Sequence, residues 1–217
     1  MTEDLNTFSA QVQKNYDSLS RFYDVLSGRA ERRIVQKTLA LFDPAPNSRF
    51  LDIGCGTGNA LLQMKREFLP PLFIYGMDIS MRMCLQAQRK LLRSMGEKAV
   101  PLCCGNALRA PFTDRYFDGI LLSFTFELFP ERLFTTLLSE CRRMLKTNGK
   151  LVLVSMASAE NPSLIYRLYL WAHREYPQWI DCRPVDAARI LADNGFRVAE
   201  RKTYNLFGLP VDSLLAI

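Results

Sequence analysis

The sequence predicts an α/β protein built on a doubly wound, mainly parallel sheet of seven strands, with a C-terminal antiparallel hairpin and a helical cap. Three observations predict this fold class. Five short segments are continuously apolar without polar alternation, so both faces of each should be covered. The segments between them carry apolar residues at helical spacing. The period changes at turn-forming clusters, which separates strand from helix along the chain.

The central elements follow from these patterns in chain order. The predicted parallel strands are residues 50–53, 73–78, 99–104, 119–124 and 150–157. The helices between them are marked by Leu61, Met64 and Phe68, by Cys84, Ala87, Leu91 and Met95, and by Phe134, Leu137, Leu138, Cys141 and Leu145. Strand and helix therefore alternate, as in doubly wound folds.

The flanking regions are predicted to form helices and a hairpin. One N-terminal helix is marked by Val35, Leu39 and Phe42, and another, which caps the sheet, by Phe8, Val12 and Tyr16. A later helix should run from Pro184 to Asn194, with proline in its first turn, and stop at Gly195. The last strand-like runs, 196–204 and 209–217, surround a turn at 205–208. Because they are so closely joined, they can only pair antiparallel.

Composition excludes several classes of protein. The chain has 217 residues, of which 48% are hydrophobic and 23% charged, as in one globular domain. No apolar run reaches the roughly 18 residues of a membrane-spanning helix, and the polar N-terminus lacks a secretory signal. We therefore expect a cytoplasmic protein without a membrane span, and peripheral membrane contact stays open.

Cysteine, histidine and charge usage exclude further classes. The six cysteines include no C-x-x-C pair, and His173 is the single histidine, so we expect reduced thiols and no metal site. The net charge of +6 comes from basic residues that are scattered along the chain. We therefore expect no nucleic-acid partner.

The segment LDIGCGTGNALLQM predicts a ligand-binding loop. It runs from a strand through Gly54, Gly56 and Gly58 into a helix. Glycines let the backbone turn sharply and approach a ligand, and the start of the helix offers free N–H groups. A merely tight turn would need one glycine rather than three.

The spacing of this loop decides among ligands. A dinucleotide fingerprint needs a third glycine at position 59, where the chain has Asn59, and no Gly-Lys-Ser/Thr sequence of a Walker loop follows. Asp52, just before the loop, would repel a diphosphate and attract an ammonium group. The ligand should therefore carry positive charge near Asp52.

Asp78 ends the second predicted strand, about 20 residues after Gly58, the separation at which doubly wound folds place a carboxylate on a ribose. We expect Asp78 to bind two ribose hydroxyls. The alternative is that Asp78 caps the helix that begins near Ser80.

These residues resemble the class I S-adenosylmethionine-dependent methyltransferases. The pattern is similar to their small-molecule branch, which includes the ubiquinone and menaquinone biosynthesis C-methyltransferases. The resemblance rests on LDIGCGTG, on GMDIS with Asp78, on Gly105–Asn106–Ala107 followed by PF, on FDGILLSF and on LKTNGKLVLV. It implies a Rossmann-like methyltransferase fold for one domain, with an N-terminal helical cap (1–45), a cofactor-binding core (48–157), and substrate-cap helices with the terminal hairpin (158–217).

The resemblance implies S-adenosylmethionine as the cofactor. It assigns the methionine part to Asp52 and to the loop that contains Gly54, Cys55, Gly56 and Gly58.

The nucleoside part of the cofactor is assigned to other residues. Asp78 would bind the ribose, and Ile79 would pack beside the adenine. Where the family usually has an acidic residue this chain has Asn106, followed by Ala107, and its amide oxygen can still accept from the adenine amine. Ser123 would lie beneath the methyl donor, or its hydroxyl would bond to the backbone.

Methyl transfer from a sulfonium needs mainly an aligned acceptor and exclusion of water, so the absence of a catalytic triad is no objection. The catalytic residue is not assigned, and three candidates are considered. His173 is the single histidine, and histidine is the residue type that most often accepts and donates protons near neutral pH. Glu127 would orient an acceptor hydroxyl or sit at a loop edge, and Tyr23 belongs to an aromatic N-terminal segment.

Three aromatic segments are expected to line a pocket for a small aromatic or lipophilic acceptor. Their aromatic residues are Tyr16, Tyr23, Phe124, Phe126, Tyr166, Tyr169, Trp171 and Trp179. The spacing of Leu164, Leu168 and Trp171 fits simple core packing equally well.

Three other functions stay open. One is a non-catalytic regulator that binds S-adenosylmethionine. Another is a nicotinamide-dependent oxidoreductase, which Asn59 disfavours. RNA methylation is subordinate, because no RNA-binding module is appended.

Overall fold

A seven-stranded sheet forms the centre of the protein in the computed structural model, which describes residues 29–68, 72–95, 100–159, 162–175 and 182–217. The strands are β1 (Arg49–Ile53), β2 (Phe73–Asp78), β3 (Leu102–Cys104), β4 (Phe117–Ser123), β5 (Leu145–Met156), β6 (Val198–Leu206) and β7 (Leu209–Ala216). Their order across the sheet is β3-β2-β1-β4-β5-β7-β6.

The first five strands pair in parallel, and the last two make the sheet mixed. Strand β1 pairs with β2 and β4, while β3 and β5 extend the parallel part on either side. Strand β7 is antiparallel both to β5 and to β6. The predicted mainly parallel sheet with a terminal hairpin is confirmed.

Helices cover both faces of this sheet. They are α1 (Arg29–Leu39), α2 (Asn59–Glu67), α3 (Met81–Met95), α4 (Phe134–Met144), α5 (Leu164–Glu175) and α6 (Ala187–Asp193). Leu39, Leu61 and Leu91 place α1, α2 and α3 in one core cluster, with Phe50 of β1. Helices α4 and α6 join the other cluster, with Leu51 of β1. Neighbouring residues of one strand thus point to opposite cores, which explains the absence of polar alternation.

Several boundaries differ from the sequence predictions. Strand β3 is shorter than 99–104, Phe42 follows the end of α1, and Leu145 opens β5 instead of ending α4. Helix α6 begins after Asp186, whose carboxylate accepts from the backbone N–H of Arg189, and not at Pro184. The reason is that Val185 is extended and pairs with Ala157.

Some predictions concern residues beyond those described. The capping helix marked by Phe8, Val12 and Tyr16 lies outside the described residues. In the parts of the chain that the structure covers, no helix has the length and apolar character to cross a bilayer.

Candidate functional site

A cavity opens at the carboxyl ends of β1, β2 and β4, where doubly wound folds bind ligands. Nine of the residues expected to bind a cofactor lie in its wall: Asp52, Gly54, Cys55, Gly56, Asp78, Ile79, Asn106, Ala107 and Ser123. One end of helix α1 and the segment after β4 complete the wall. The fold therefore brings segments that are distant in sequence to one place.

The glycine loop needs two of its glycines for different reasons. Gly54 has a φ of 71°, and a Cβ there would lie 2.3 Å from Cγ2 of Thr125. Gly56 has a φ of 51°, and no atom lies within 4 Å of where its Cβ would be. Gly54 is thus required by close packing, whereas Gly56 leaves open space in the cavity wall.

Gly58 has a structural role that the sequence analysis did not anticipate. It precedes α2 with a φ of 81°, and a Cβ there would lie 3.1 Å from that of Ala87 on α3. As the structure places it, Gly58 is outside the cavity wall. Its expected contact with the cofactor stays a prediction, and close packing of two helices is a second reason for the glycine.

Cys55 and Lys90 hold the glycine loop in place, the first by packing in the core and the second by hydrogen bonds. The Cys55 side chain is buried in the core, and burial raises the pKa of its thiol. Lys90 on α3 donates to the side chains of Thr57, at 2.8 Å, and Asn59, at 2.9 Å. The amide at the position of the missing third glycine thus helps to hold the end of the loop.

Asp52 is a buried carboxylate in the cavity wall. Within the described part of the chain, neither of its side-chain oxygens has a hydrogen-bond partner. Desolvation, and secondarily the charge of Asp78, raise the pKa of Asp52 well above its ordinary value. A buried, unpaired carboxylate is costly, so a cationic donor in the cavity would be stabilised beside it.

Asp78 joins the second strand to the glycine loop. Its Oδ2 accepts from the backbone N–H of Gly56, at 2.9 Å, and its Oδ1 accepts from that of Ser80, at 2.8 Å. The hydroxyl of Ser80 accepts from the backbone N–H of Met83, at 3.2 Å, so Ser80 provides the side-chain cap of α3. Asp78 stays in the cavity wall, where carboxylate oxygens can accept from ligand hydroxyls.

Asn106 and Ser123 lie in the wall beyond the loop. The Asn106 side-chain oxygen accepts from the backbone N–H of Leu108, at 2.9 Å, and caps a short 3₁₀ helix (Ala107–Arg109). The Asn106 oxygen thus already accepts one backbone hydrogen bond, and because an amide oxygen can accept two, its contact with an adenine amine stays a prediction. Ser123 ends β4, and its backbone carbonyl accepts from the Thr125 hydroxyl, at 3.0 Å.

Glu31 is a cavity residue that the sequence analysis missed. It lies on α1, and desolvation by burial raises its pKa to about 7. Val35, four residues later, also lines the cavity. Because residues four apart share one face of a helix, the inward-facing Val35 was a signal that could have identified Glu31.

The catalytic candidates lie either away from the cavity wall or outside the described residues. His173 lies on α5, and Glu127 is buried with its Oε1 accepting from the backbone N–H of Met156, at 3.0 Å. Neither of these two described residues lines the cavity. Tyr23 lies outside the described residues. Glu127 thus secures the segment after β4 to the end of β5.

The expected aromatic pocket is only partly present. Phe124 lines the cavity, together with Phe129 at the end of the same predicted segment after β4. Phe126 instead stacks on Phe134 in the core, with ring centroids 4.3 Å apart. Tyr166 is buried on the inner side of α5. Tyr16 and Trp179 lie outside the described residues.

The spaced apolar residues of helix α5 follow neither of the two interpretations considered above, which were lining of a pocket and packing in the core. The exposed fractions of Leu164, Leu168 and Trp171 are 82%, 61% and 48%. These side chains therefore neither pack in the core nor line the cavity. Tyr169 of the same helix donates a hydrogen bond to the backbone carbonyl of Cys182.

Metal-ligating side chains do not cluster in the part of the chain seen here. No group of three or more His, Cys, Asp or Glu side chains converges among the described residues.

Comparisons with known proteins identify a matching family model and several similar proteins. A methyltransferase domain family model matches residues 50–149. The demethylmenaquinone methyltransferase of Lactiplantibacillus plantarum is 29% identical over 170 residues, which cover 76% of this chain and 70% of the relative. The demethylmenaquinone methyltransferase of Thermotoga maritima is 31% identical over 159 residues, which cover 73% of this chain and 64% of the relative. The chain thus spans about two thirds of the length of these relatives.

Solved structures show the same fold. Magnesium protoporphyrin IX methyltransferase from Synechocystis PCC 6803, with bound SAH, matches with a TM-score of 0.75 at 17% identity, covering 96% of this chain and 98% of that one. A SAM dependent methyltransferase from Aquifex aeolicus matches with a TM-score of 0.67 at 20% identity, covering 91% and 97%. At these identities the likeness is one of fold.

Proposed function

The chain belongs to the class I S-adenosylmethionine-dependent methyltransferases, and on that premise we propose that it methylates a ring carbon of a small lipophilic quinol. The names of the demethylmenaquinone methyltransferase relatives support this acceptor class. The observation that carries methyl transfer is the buried carboxylate of Asp52, which has no hydrogen-bond partner among the described residues and lies in the cavity wall.

The residues present fit S-adenosylmethionine. Asp52 offers a negative charge to its ammonium group, and the bare face of Gly56 leaves room for its methionine part. Asp78 and Ile79 lie in the same wall, where Asp78 would accept from the ribose hydroxyls and Ile79 would offer an apolar surface to the adenine. When bound, the cofactor supplies a methyl group that is activated by a positively charged sulfonium sulfur. The leaving group is a neutral thioether.

We propose Glu31 as the proton acceptor of the reaction. Its pKa of about 7 means that a substantial fraction is ionised at neutral pH. As a carboxylate in the cavity wall, Glu31 would take the proton of an acceptor hydroxyl, and the electron density of the resulting phenolate would make the adjacent ring carbon nucleophilic.

The acceptor would replace one ring hydrogen by methyl. Its ring carbon would bond to the methyl group that the cofactor supplies, and the electron pair of the broken sulfur–methyl bond would remain on the thioether sulfur. The same ring carbon would then lose its hydrogen as a proton to solvent, which restores aromaticity, and Glu31 would return the proton that it holds to the oxygen. The net change is replacement of one ring hydrogen by methyl, with release of one proton.

Apolar side chains in the cavity wall would hold the acceptor and exclude water. Val35 contributes from α1, and Phe124, Leu128 and Phe129 contribute from the segment after β4. Holding the acceptor would align its ring carbon with the methyl group, and exclusion of water would prevent side reactions. The division of the single domain stays a proposal, in which α1 supplies part of the acceptor wall.

The remaining proposals concern partners and location. Scattered basic charge supports a small-molecule acceptor in preference to nucleic acid. A cytoplasmic location stays a proposal.

Incubation of the purified protein with methyl-labelled S-adenosylmethionine and 1,4-naphthohydroquinone tests the proposed function. We expect label in the ring-methylated quinol, and thermal stabilisation by S-adenosylmethionine but not by NAD. Stabilisation by NAD alone would support an oxidoreductase instead. Cofactor binding without transfer to any quinol or phenol would support a regulator.

A further inference from the structure

Helix α5 and the tip of the terminal hairpin form one exposed apolar surface, which we call the α5 face. It consists of Leu164, Ile165, Leu168, Trp171 and Phe207, whose exposed fractions range from 48% for Trp171 to 82% for Leu164. Large apolar side chains that are exposed together mark an interaction site more often than single ones do.

The four helical residues of the α5 face lie on one side of the helix. At 100° per residue, positions 164, 165, 168 and 171 fall within one stripe about 120° wide. Tyr166 points the opposite way, is buried, and its hydroxyl accepts from the backbone N–H of Ala159, at 3.3 Å. Because the side of the helix that carries Tyr166 is buried, the apolar stripe on the opposite side faces outward.

The hairpin tip continues this stripe. The Ser163 hydroxyl donates to the backbone carbonyl of Gly208, at 3.4 Å, and a Cβ at Gly208 would lie 2.9 Å from the Ile165 side chain. Phe207, next to Gly208, is 79% exposed. The phenyl ring therefore projects from the same region as the start of α5.

Charge on the helix favours an anionic partner. Arg167 and Arg174 are exposed and fall next to the Trp171 edge of the stripe. No Asp or Glu occurs from Pro162 to Arg174, and Glu175, the last residue of α5, forms an exposed ion pair with Arg174, with 3.3 Å between Nε and Oε1. An apolar helical stripe with tryptophan at its border and arginine beside it is the pattern of a helix that lies in a bilayer interface.

We propose that the α5 face docks the protein on the surface of an anionic lipid bilayer, with Leu164, Leu168 and Phe207 entering the boundary between headgroups and acyl chains. Arg167 and Arg174 contact lipid phosphates, because long basic side chains can extend toward the headgroups from an apolar surface. This docking is independent of methyl transfer, since the α5 face does not line the cofactor cavity in the described structure.

Vesicle sedimentation of the whole protein tests the docking. The probes are vesicles of phosphatidylcholine alone and vesicles of phosphatidylcholine mixed with phosphatidylglycerol. We expect binding to the mixed vesicles, weaker binding to the neutral ones, and loss of the difference at high salt. The double variant Leu164→Gln/Leu168→Gln should reduce the partition coefficient at least tenfold.

The matched control replaces two leucines of similar character elsewhere. Leu85 and Leu92 on α3 have exposed fractions of 43% and 42%. Leu85→Gln/Leu92→Gln should leave vesicle binding unchanged, with both double variants checked for native circular dichroism. If the α5 double variant does not fold, Arg167→Glu/Arg174→Glu serves instead and should abolish the preference for anionic vesicles.

Three results would overturn the proposal. One is failure of the native protein to bind anionic vesicles, and another is equal loss of binding in the α5 and α3 variants. The third is a native dimer that the α5 variant converts to a monomer, since a second copy would then cover the face. Each result can occur whether or not the protein methylates a quinol, so the two proposals fail separately.

Discussion

The Oδ2 atom of Asp78 lies 2.9 Å from the backbone nitrogen of Gly56, and this hydrogen bond ties the end of β2 to the open part of the glycine loop. The two residues belong to the proposed ribose and methionine contacts respectively. One carboxylate therefore both orders the loop and lines the cavity in which we propose that the cofactor binds. Substitutions at Asp78 should be interpreted with both roles in mind.

Asp78→Asn should weaken binding of S-adenosylmethionine. The amide keeps the shape of the side chain but loses the charge-assisted hydrogen bonds. We expect the dissociation constant measured by calorimetry to rise by about tenfold to a hundredfold. Asp118→Asn is the matched control, because Asp118 also accepts from a backbone N–H, that of Arg49 at 2.8 Å, but lies at the amino end of β4. Equal affinities for both variants would contradict a role of Asp78 in binding.

Asp52→Asn should stabilise the ligand-free protein while weakening its affinity for the cofactor. Because the folded state raises the pKa of Asp52, it holds the proton more tightly than the unfolded chain does. The free energy of unfolding therefore falls as pH rises from the ordinary pKa of aspartate, near 4, toward the raised folded value. Asparagine cannot ionise, so the free energy of unfolding of the variant does not show this fall with rising pH.

Thermal denaturation across pH measures the effect at Asp52. At neutral pH we expect a Tm a few degrees above that of the native protein, together with a higher dissociation constant for S-adenosylmethionine. A lower Tm in the ligand-free variant would show that the Asp52 carboxylate stabilises the folded state.

Gly56→Ala should mainly weaken cofactor binding, whereas Gly54→Ala should mainly destabilise the folded protein. A Cβ at Gly56 meets no atom within 4 Å, so we expect a folded protein, destabilised by about 1–2 kcal/mol because of the positive φ, that binds the cofactor at least tenfold more weakly. A Cβ at Gly54 overlaps Thr125, so Gly54→Ala should lose more stability, part of which Thr125→Ala restores. Circular dichroism melts and calorimetry separate these effects, and equal melts for the two single variants would contradict the assignment.

Glu31→Gln should lower kcat/KM and change its pH dependence. A base with a pKa of about 7 makes the rate rise with pH through neutrality and then level off. We expect the variant to be slower by about a hundredfold or more and to lose this rise. His173→Gln removes the single histidine and should keep both the rate and the rise. A rise that disappears in the histidine variant would identify His173 as the titrating group.

The parallel core and the glycine loop were predictable because their signals are local. Continuous apolar runs occur where both faces of a strand are covered, as Phe50 and Leu51 show by entering opposite cores. A run of glycines after a strand likewise indicates a backbone turn. The local pattern could not separate Gly56, which borders the cavity, from Gly58, which lets α2 approach α3.

Other features depend on contacts that the local sequence does not encode. Proline favoured a helix start at Pro184, but pairing of Val185 with Ala157 keeps the chain extended there. Glu31 enters the site only because α1 packs beside the glycine loop. The spacing of Leu164 and Leu168 would be the same on a buried or an exposed helical face, so only the tertiary structure shows that they are exposed.

The position of β7 between β5 and β6 has a consequence for how the protein forms during synthesis. Leu151 pairs with Ala216, so the side of the parallel sheet at β5 cannot be completed until residues far later in the chain have left the ribosome. Until then β5 is an unprotected edge, which other nascent chains could extend. Long-range pairing of this kind also slows folding. We therefore expect chaperones that shield strand edges to raise the yield of folded protein.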